Sequence, residues 1–466
     1  MNIDDLLAPL PAALPVTAAE VRAKLNPAEV LIVLDDDPTG TQSVAGLPVL
    51  TRWEPSDLAA ALETGSPAIY ILTNSRSLGE AEAAQINRDI VAVALAAAAQ
   101  AGRQVTFVSR SDSTLRGHFP LETDVLSAEI VARGGKQPDL TLLVPAFPDA
   151  GRITVDGRHY WVVDGEATLV GDTPFARDAT FGFKSSDLRD WVDEKTGGRV
   201  PAAKVAALTV DIIRSGVAAV VDFLRELTPG TVVAVDAVEE SDLRAVALAL
   251  HQLPETSVLL RVGPPYVRAH IGLEVPPVVD PADINFGNSR GGLVVVGSHV
   301  PLTTAQLTAL KAARPDTETV ELDVRSLIDD RREQHLTGAV NRIVAALDDG
   351  TVIVHTSRDL VTGASGDESL EIARKVSSAV VDVVRRVLET APPRFVIAKG
   401  GITSSDVASE ALSIRRATVL GPMLPGIVSL WQPEVGPAVG IPYVVFAGNV
   451  GDTDSLAKVV ETLAAD

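Results

Sequence analysis

Short runs of β-branched and aliphatic residues alternate with helical stretches along almost the whole chain, and this rhythm restricts the fold more than any other feature. Residues 30–34, 68–72, 105–108, 140–144, 205–208, 232–235 and 258–260 are apolar almost without interruption. Strands read this way when both of their faces are covered, as helices cover a parallel sheet. Between them, residues 80–101, 216–227 and 242–253 repeat apolar positions at helical spacing. The pattern predicts an α/β fold on a largely parallel sheet. It leaves residues 147–195, rich in Gly, Asp and aromatics, as a loop or hairpin excursion.

A Pro- and Gly-rich interval spans residues 263–292, and the rhythm then restarts with strand runs at 293–296, 319–322, 352–354, 395–398 and 443–446. Helical spacing returns at 304–313, 368–388 and 455–464. A chain of 466 residues also exceeds the ~250–300 at which one core stops growing. Two α/β domains are therefore expected, residues 1–288 and 289–466, with a cleft between them.

Charge limits the partners. With 40 Lys and Arg against 61 Asp and Glu the net charge is −21, which argues against a nucleic acid or an anionic membrane as partner. An anionic ligand must then be held by a local basic cluster. The chain has no cysteine, which excludes a disulfide framework, a thiolate nucleophile and Cys-based zinc sites. That composition fits the cytoplasm. Residues 1–20 carry Asp4 and Asp5 and no basic n-region, so they do not read as a signal peptide, and no apolar run reaches the ~18–20 residues of a membrane span.

Ligands of open parallel sheets bind beyond the carboxyl ends of the strands. The first run ends in Asp35-Asp36-Asp37-Pro38-Thr39-Gly40-Thr41, more carboxylates than one helix cap requires. The second ends in Thr73-Asn74-Ser75-Arg76-Ser77, which taken alone is a capped turn. The third ends in Ser109-Arg110-Ser111-Asp112-Ser113-Thr114-Leu115-Arg116-Gly117-His118, a density of hydroxyls and guanidiniums that no amphipathic pattern explains. The fourth, Pro145-Ala146-Phe147-Pro148-Asp149-Ala150-Gly151-Arg152, adds another arginine to the same rim. Arginine grips a carboxylate or phosphate bidentately, and short hydroxyls complete the shell around a small polyol acid.

The second half offers different chemistry. Its strand runs end in Gly297-Ser298-His299, in Lys399-Gly400-Gly401-Ile402-Thr403 and in Gly448-Asn449-Val450-Gly451-Asp452. Glycine turns between strand and helix let backbone N–H groups approach phosphates, and three of them in one domain point to a nucleotide. The sequence contains no GxxxxGK[ST] loop, no HRD/DFG pair and no HExxH. His118 and His159 adjoin the first rim as hydrogen-bonded bystanders, and none of the seven histidines has metal-ligand spacing.

Taken in order along the chain, these motifs resemble the four-carbon acid sugar kinase family. The family's Asp-Asp-Leu-Thr-Gly-Ala motif appears as Asp36-Asp37-Pro38-Thr39-Gly40-Thr41, and its Asp-Ser-Thr-Leu-Arg-Gly motif is intact from Asp112 to Gly117. The Pro-Ala-Phe-Pro segment, the Gly297-Ser298 turn, Leu424-Pro425-Gly426 and Gly448-Asn449-Val450-Gly451 follow in family order. In the Gly-Gly-Asp/Glu-Thr motif, Ile402 replaces the acid. The resemblance implies a sugar-acid-binding first domain, an ATP-binding second domain, and transfer of the γ-phosphoryl group to a hydroxyl of a threonate, erythronate or 3-oxo-tetronate. It implies that Ser298, Gly400, Gly401, Ile402, Thr403, Gly448, Asn449 and Gly451 face ATP.

Phosphoryl transfer needs Mg²⁺ and donors on the phosphates and a carboxylate that orients the attacking hydroxyl. Asp36 or Asp37, then Asp112, are the candidates for that carboxylate. Arg76, Arg110 and Arg116 are the candidates for gripping the substrate's carboxylate, with Ser111, Asp112 and Ser113 beside it. The competing readings are a metal-dependent acid-sugar lyase or isomerase and a non-catalytic sensor of sugar acid and nucleotide. A homodimer is compatible with each.

Overall fold

In the computed structural model, which describes residues 1–359, 361 and 366–464, the apolar runs form parallel sheets in two units. The first unit comprises Met1–Val44 and Trp53–Pro276, the second Ala45–Arg52 and Pro277–Asp466.

Among the described residues of the first unit, seven strands pair in parallel in the order Ala68–Leu72, Glu29–Asp35, Gln104–Arg110, Val258–Val262, Leu140–Val144, Thr231–Val235 and Ala206–Leu208. From Glu29–Asp35 the chain first adds Ala68–Leu72 on one side, then crosses to add Gln104–Arg110 on the other. Such a reversal opens a crevice at the carboxyl ends of the two strands it separates. Asp35 and Arg110 sit there directly opposite each other in register. The helix Glu80–Ala101 makes part of that crossover; its first turn carries Glu80 and Glu82, and Gly102 ends it in the left-handed region at φ 66°.

The segment that periodicity leaves as loop or hairpin forms an antiparallel meander of Arg152–Val155, Arg158–Val163 and Glu166–Leu169. Its two-residue turns are Asp156-Gly157 and Asp164-Gly165, and all four residues have positive φ. That geometry matches the twist of hairpin strands, which is why Asp-Gly marks such turns.

The second unit orders its strands Thr319–Leu322, Val352–Thr356, Leu293–Val296, Val396–Lys399, Tyr443–Phe446, Ile427–Pro433, Arg416–Leu424 and Leu47–Leu50. The first five are parallel; the last three run antiparallel to their neighbours. Here too the strand order reverses, between Leu293–Val296 and Val396–Lys399, and the glycine turns follow those strands.

The division departs from a single cut between 288 and 289 in two places, each with a packing reason. Leu47–Leu50 lies far back in the sequence but pairs with Arg416–Leu424. The proline-rich stretch after Pro276 is not a free linker either: the Val279 amide donates to the Pro422 carbonyl at 2.9 Å and the Gly287 amide to Gly440 at 2.7 Å. Val279 and Ile284 are buried in the core of this unit, with Phe395, Leu430 and Val444.

A fragment beginning at residue 289 should therefore be less stable than one beginning at 277. Burial of an aliphatic side chain is worth about 1.5–3 kcal/mol, so loss of Val279 and Ile284 should cost about 3–6 kcal/mol. Urea denaturation followed by Trp431 fluorescence measures this, and equal midpoints for the two fragments would contradict the assignment.

Candidate functional site

In the first unit, carboxylates and guanidiniums alternate across the strand ends. Arg110 is buried, with its Nε and Nη2 on the Asp35 carboxylate, Nη2 also 3.1 Å from Asp36 Oδ1 and 2.5 Å from the Asp37 carbonyl, and Nη1 donating to the Ser111 carbonyl at 3.3 Å. The turn after the strand must pass hard against this pair. Gly40 allows it, because a side chain there would overlap the Asp35 carboxylate and Arg110 Nε. Arg76, brought in by the neighbouring strand end, binds Asp36 bidentately at 3.1 and 2.7 Å and lies 3.5 Å from Asp37 Oδ2.

Burial pushes the Asp35 carboxyl up to about 7, with Arg110 only partly opposing it. Asp37 behaves differently. Burial raises it too, but Arg76 and Arg110 outweigh burial and hold it below the ordinary carboxylate range. Its side chain caps the turn Pro38–Ser43 by accepting from the Thr39 amide at 2.9 Å and hydroxyl at 2.5 Å, and it remains 23% exposed. Asp112 is also held low: burial raises it, and Arg76 and Arg116 overcome the penalty. Arg116 Nε donates to Asp112 at 2.7 Å, and its guanidinium lies over the Phe175 ring at 5.2 Å.

The structure thus brings together Asp36, Asp37, Asp112, Arg76, Arg110 and Arg116 as their spacing suggests, but it partners the arginines. Arg110 in particular has all three of its nitrogens engaged, Nε and Nη2 by Asp35 and the Asp37 carbonyl and Nη1 by the Ser111 carbonyl. Ser111 is buried with its amide on the Val262 carbonyl at 2.9 Å. Ser113 is buried as well, its carbonyl accepting from His159 Nε2 at 2.7 Å. Burial lowers His159 to about 4, and it serves as a neutral support. His118 likewise bonds the Ser75 and Leu78 carbonyls at 3.0 Å.

Of two further features, the first escapes a reading of the sequence alone, and the second is placed at the rim by the sequence but not marked there as unpaired. Below the rim, Glu122 accepts from Ser75 at 2.6 Å, from Ser109 at 2.8 Å and from Arg261, a buried brace between three elements. A charged residue inside the apolar run at 258–262 is the signal that marks Arg261. The second is Arg152, whose electrostatic neighbours are Asp112 and Arg116. Its Nη1 donates to the Ala150 carbonyl at 2.5 Å and its Nε is buried without a partner. Among the described residues no carboxylate lies within ion-pair distance of it, in contrast to Arg76, Arg110 and Arg116.

In the second unit the three glycine turns meet. Val296, Lys399 and Phe446 are in register at the ends of adjacent strands, so Gly297 and Gly400 follow directly and Gly448 one residue further on. A side chain at Gly297 would strike Thr403 Oγ1, and one at Gly448 would come within 2.5 Å of Ser298 Oγ. Gly400, at φ 133°, makes the tight entry into the helix Gly401–Asp406. The amides of Gly297 and Ser298 donate to the Lys399 carbonyl and that of Gly400 to Phe446, so they lock the turns to one another rather than facing outward. This leaves the amides of Gly401, Ile402, Asn449 and Gly451 without a backbone acceptor among the described residues. Beside Gly297 and Thr403 lies a cavity of about 390 Å³ lined mainly by apolar side chains, including Val324, Val376, Val380 and Ile402. Ile402 is 59% exposed and stands at its mouth.

Lys399 was not anticipated as a special residue. Its side chain is fully buried, with Nζ 2.5 Å from the Ala447 carbonyl and 3.8 Å from the centre of the Phe446 ring. Burial lowers the ammonium to about 7.

Comparison with known proteins gives the same division of labour. Residues 31–270 match the family model of a sugar-binding N-terminal domain and residues 293–456 that of a nucleotide-binding C-terminal domain. The chain is 27% identical over 459 residues to a D-erythronate kinase of Heliobacterium modesticaldum, covering 93% of this chain and 97% of that one. It is 27% identical over 455 residues to a D-threonate kinase of Bordetella bronchiseptica, covering 92% and 96%. A crystal structure of a Haemophilus influenzae protein superposes with a TM-score of 0.63 at 19% identity over 93% of this chain and 100% of that one, which shows a shared fold. Among the described residues no helix is long and apolar enough to cross a membrane.

Lys399 generates a test of the second unit's strand ends. Between pH 7 and about 10 the unfolded chain holds a proton at this lysine that the folded chain lacks, so this group's contribution to stability rises with pH across that window and is lost as pH falls back to about 7. The gain in unfolding free energy between pH 7 and pH 9 should be about 1–3 kcal/mol larger in the wild type than in Lys399→Met. Denaturant titration at both pH values reads it, and parallel curves would contradict a buried, depressed lysine.

Proposed function

Because the chain belongs to the four-carbon acid sugar kinase family, we propose that it transfers the terminal phosphoryl group of ATP to a hydroxyl of a four-carbon sugar acid of the threonate, erythronate or 3-oxo-tetronate type. The observation that carries this reading is the charge pattern at the first unit's strand ends. Arg76, Arg110 and Arg116 are ion-paired to Asp35, Asp36, Asp37 and Asp112, whereas among the described residues Arg152 has no carboxylate within ion-pair distance, Asp112 acting on it only from farther off. A substrate carboxylate gives Arg152 a direct partner. A neutral sugar leaves the half-buried guanidinium without one, which is unfavourable.

In this reading Arg152, with Arg116 beside it, takes the carboxylate of the sugar acid. Asp37 orients the acceptor hydroxyl, since it is ionised and its Oδ2 is the less engaged oxygen, whereas both oxygens of Asp36 are held by Arg76. Arg76 is a positioning residue that ties Asp36 to Asp37. On the nucleotide side, the apolar cavity accommodates the base, and the free amides of Gly401, Ile402, Asn449 and Gly451 donate to phosphate oxygens. The acceptor oxygen bonds to the γ-phosphorus as the bond to the β,γ-bridging oxygen breaks; ADP leaves and the hydroxyl proton passes to Asp37.

Mg²⁺ would neutralise charge on the transferring phosphates. Among the described residues no cluster of three or more His, Asp or Glu side chains is arranged to hold a metal ion. Mg²⁺ in such enzymes is held by one or two carboxylates together with the phosphates, which Asp37 and Asp112 suit.

ADP release measured over a panel of tetronates and the neutral tetritol erythritol tests the proposal. Turnover of D-erythronate, D-threonate or a 3-oxo-tetronate and none of erythritol is the expected result; no ATP consumption with any acid would overturn it. Asp37→Asn should lower kcat by at least ~10²-fold with the KM for ATP nearly unchanged. Arg152→Ala should raise the KM for the acid by ~10- to 100-fold, the worth of a charge-assisted hydrogen bond, and leave the KM for ATP as it is. Near wild-type constants in both variants would place the chemistry elsewhere.

A further inference from the structure

The nucleotide reading leaves a cation of the second unit, Arg358, unaccounted for. Arg358 follows the strand Val352–Thr356 and lies between Thr356 and Val361, both of which line the apolar cavity. Its Nη2 donates to the Ser298 carbonyl and to Thr304 Oγ1, each at 2.7 Å. Among the described residues its Nε and Nη1 are buried with no hydrogen-bond partner. Burial shifts it downward, and no ion pair with a described carboxylate opposes the shift.

The location makes this arrangement more costly. Ser298 precedes the helix Pro301–Ala313, and Thr304 lies in that helix's first turn. The positive end of a helix favours anions and disfavours cations. Next to Arg358, His299 is pushed further toward its neutral form by burial and by the guanidinium, and its Nδ1 is buried without a partner. A guanidinium held by a carbonyl and a hydroxyl at the positive end of a helix, with donors unused and no carboxylate on it among the described residues, is a group waiting for an anion.

We propose that Arg358 binds a phosphate of the nucleotide, completing with its charge the cradle whose uncharged part is formed by the glycine-turn amides. This rests on the assignment of the second unit to ATP. It adds to the backbone donors the one element they lack, a full positive charge set beside the base-sized cavity. The amide turns alone would hold phosphate by dipoles; Arg358 makes affinity depend on the phosphate charge. Lys399, whose Nζ is committed to the Ala447 carbonyl and the Phe446 ring, does not fill that role.

Competition binding on the full chain with ATP, adenosine and inorganic tripolyphosphate as probes separates the phosphate contribution from that of the base. Arg358→Ala should weaken ATP and tripolyphosphate by ~10- to 100-fold and leave adenosine within about twofold, with Arg358→Lys between wild type and Ala. ATP affinity within about twofold of wild type in Arg358→Ala overturns the proposal while leaving the nucleotide site standing. Equal losses of ATP and adenosine, in Arg358→Ala and Arg358→Gln alike, also overturn it, because they mean Arg358 only shapes the fold. A wild-type chain that binds neither ATP nor adenosine overturns the nucleotide reading itself, and this proposal with it.

Discussion

Everything at the first unit's rim is built around the contact between Asp35 and Arg110. They face each other in register on the two strands where the sheet reverses direction, and both are buried. Two charges taken out of water this way cost much of what their attraction returns, so the pair is not there for net stability. What it does is fix geometry. Arg110 also reaches Asp36 and the Asp37 carbonyl, so one guanidinium sets the course of the chain as it leaves the strand. Gly40 then passes where no side chain fits. Removing either partner would strand a buried charge, a loss of about 3–5 kcal/mol, which ties the shape of the rim to the stability of the sheet.

The two units use the same kind of place in opposite ways. Each has its candidate site at the carboxyl ends of strands flanking a reversal in strand order. The first crowds that place with charged side chains that nearly cancel, and among the described residues Arg152 is left there with no carboxylate within ion-pair distance. The second strips side chains away: Gly297, Gly400 and Gly448 bring backbones together, and the outward amides come from the residues that follow. A small polyol acid needs specific polar partners on several sides, whereas a polyphosphate needs close backbone approach and positive potential. The division matches what each ligand class demands.

The parallel strands and long helices were legible because each is a local pattern. The strand at 68–72 and the helix at 80–101 fall where periodicity places them. The strand Leu47–Leu50 was not, since it has only four residues and its partner lies more than 360 positions later in the chain. The meander at 152–169 was half legible: its two Asp-Gly pairs are strong turn signals, but the weak alternation between them hid the strands. The motifs at the strand ends were readable as a group, yet which arginine is spent and which is free was not. Arg110 and Arg152 look alike in sequence. Only pairing across strands shows that the first has an acid on the adjacent strand and the second has none.

The first unit's own carboxylates satisfy Arg76, Arg110 and Arg116, and in the proposed reading the ligand's carboxylate goes to Arg152. A crystal structure of the full chain with whichever of D-erythronate and D-threonate it turns over tests this most directly. The account predicts the ligand carboxylate within hydrogen-bond distance of Arg152, a hydroxyl toward Asp37, and Asp35 still on Arg110. A ligand carboxylate seated on Arg110 with Asp35 displaced would contradict it.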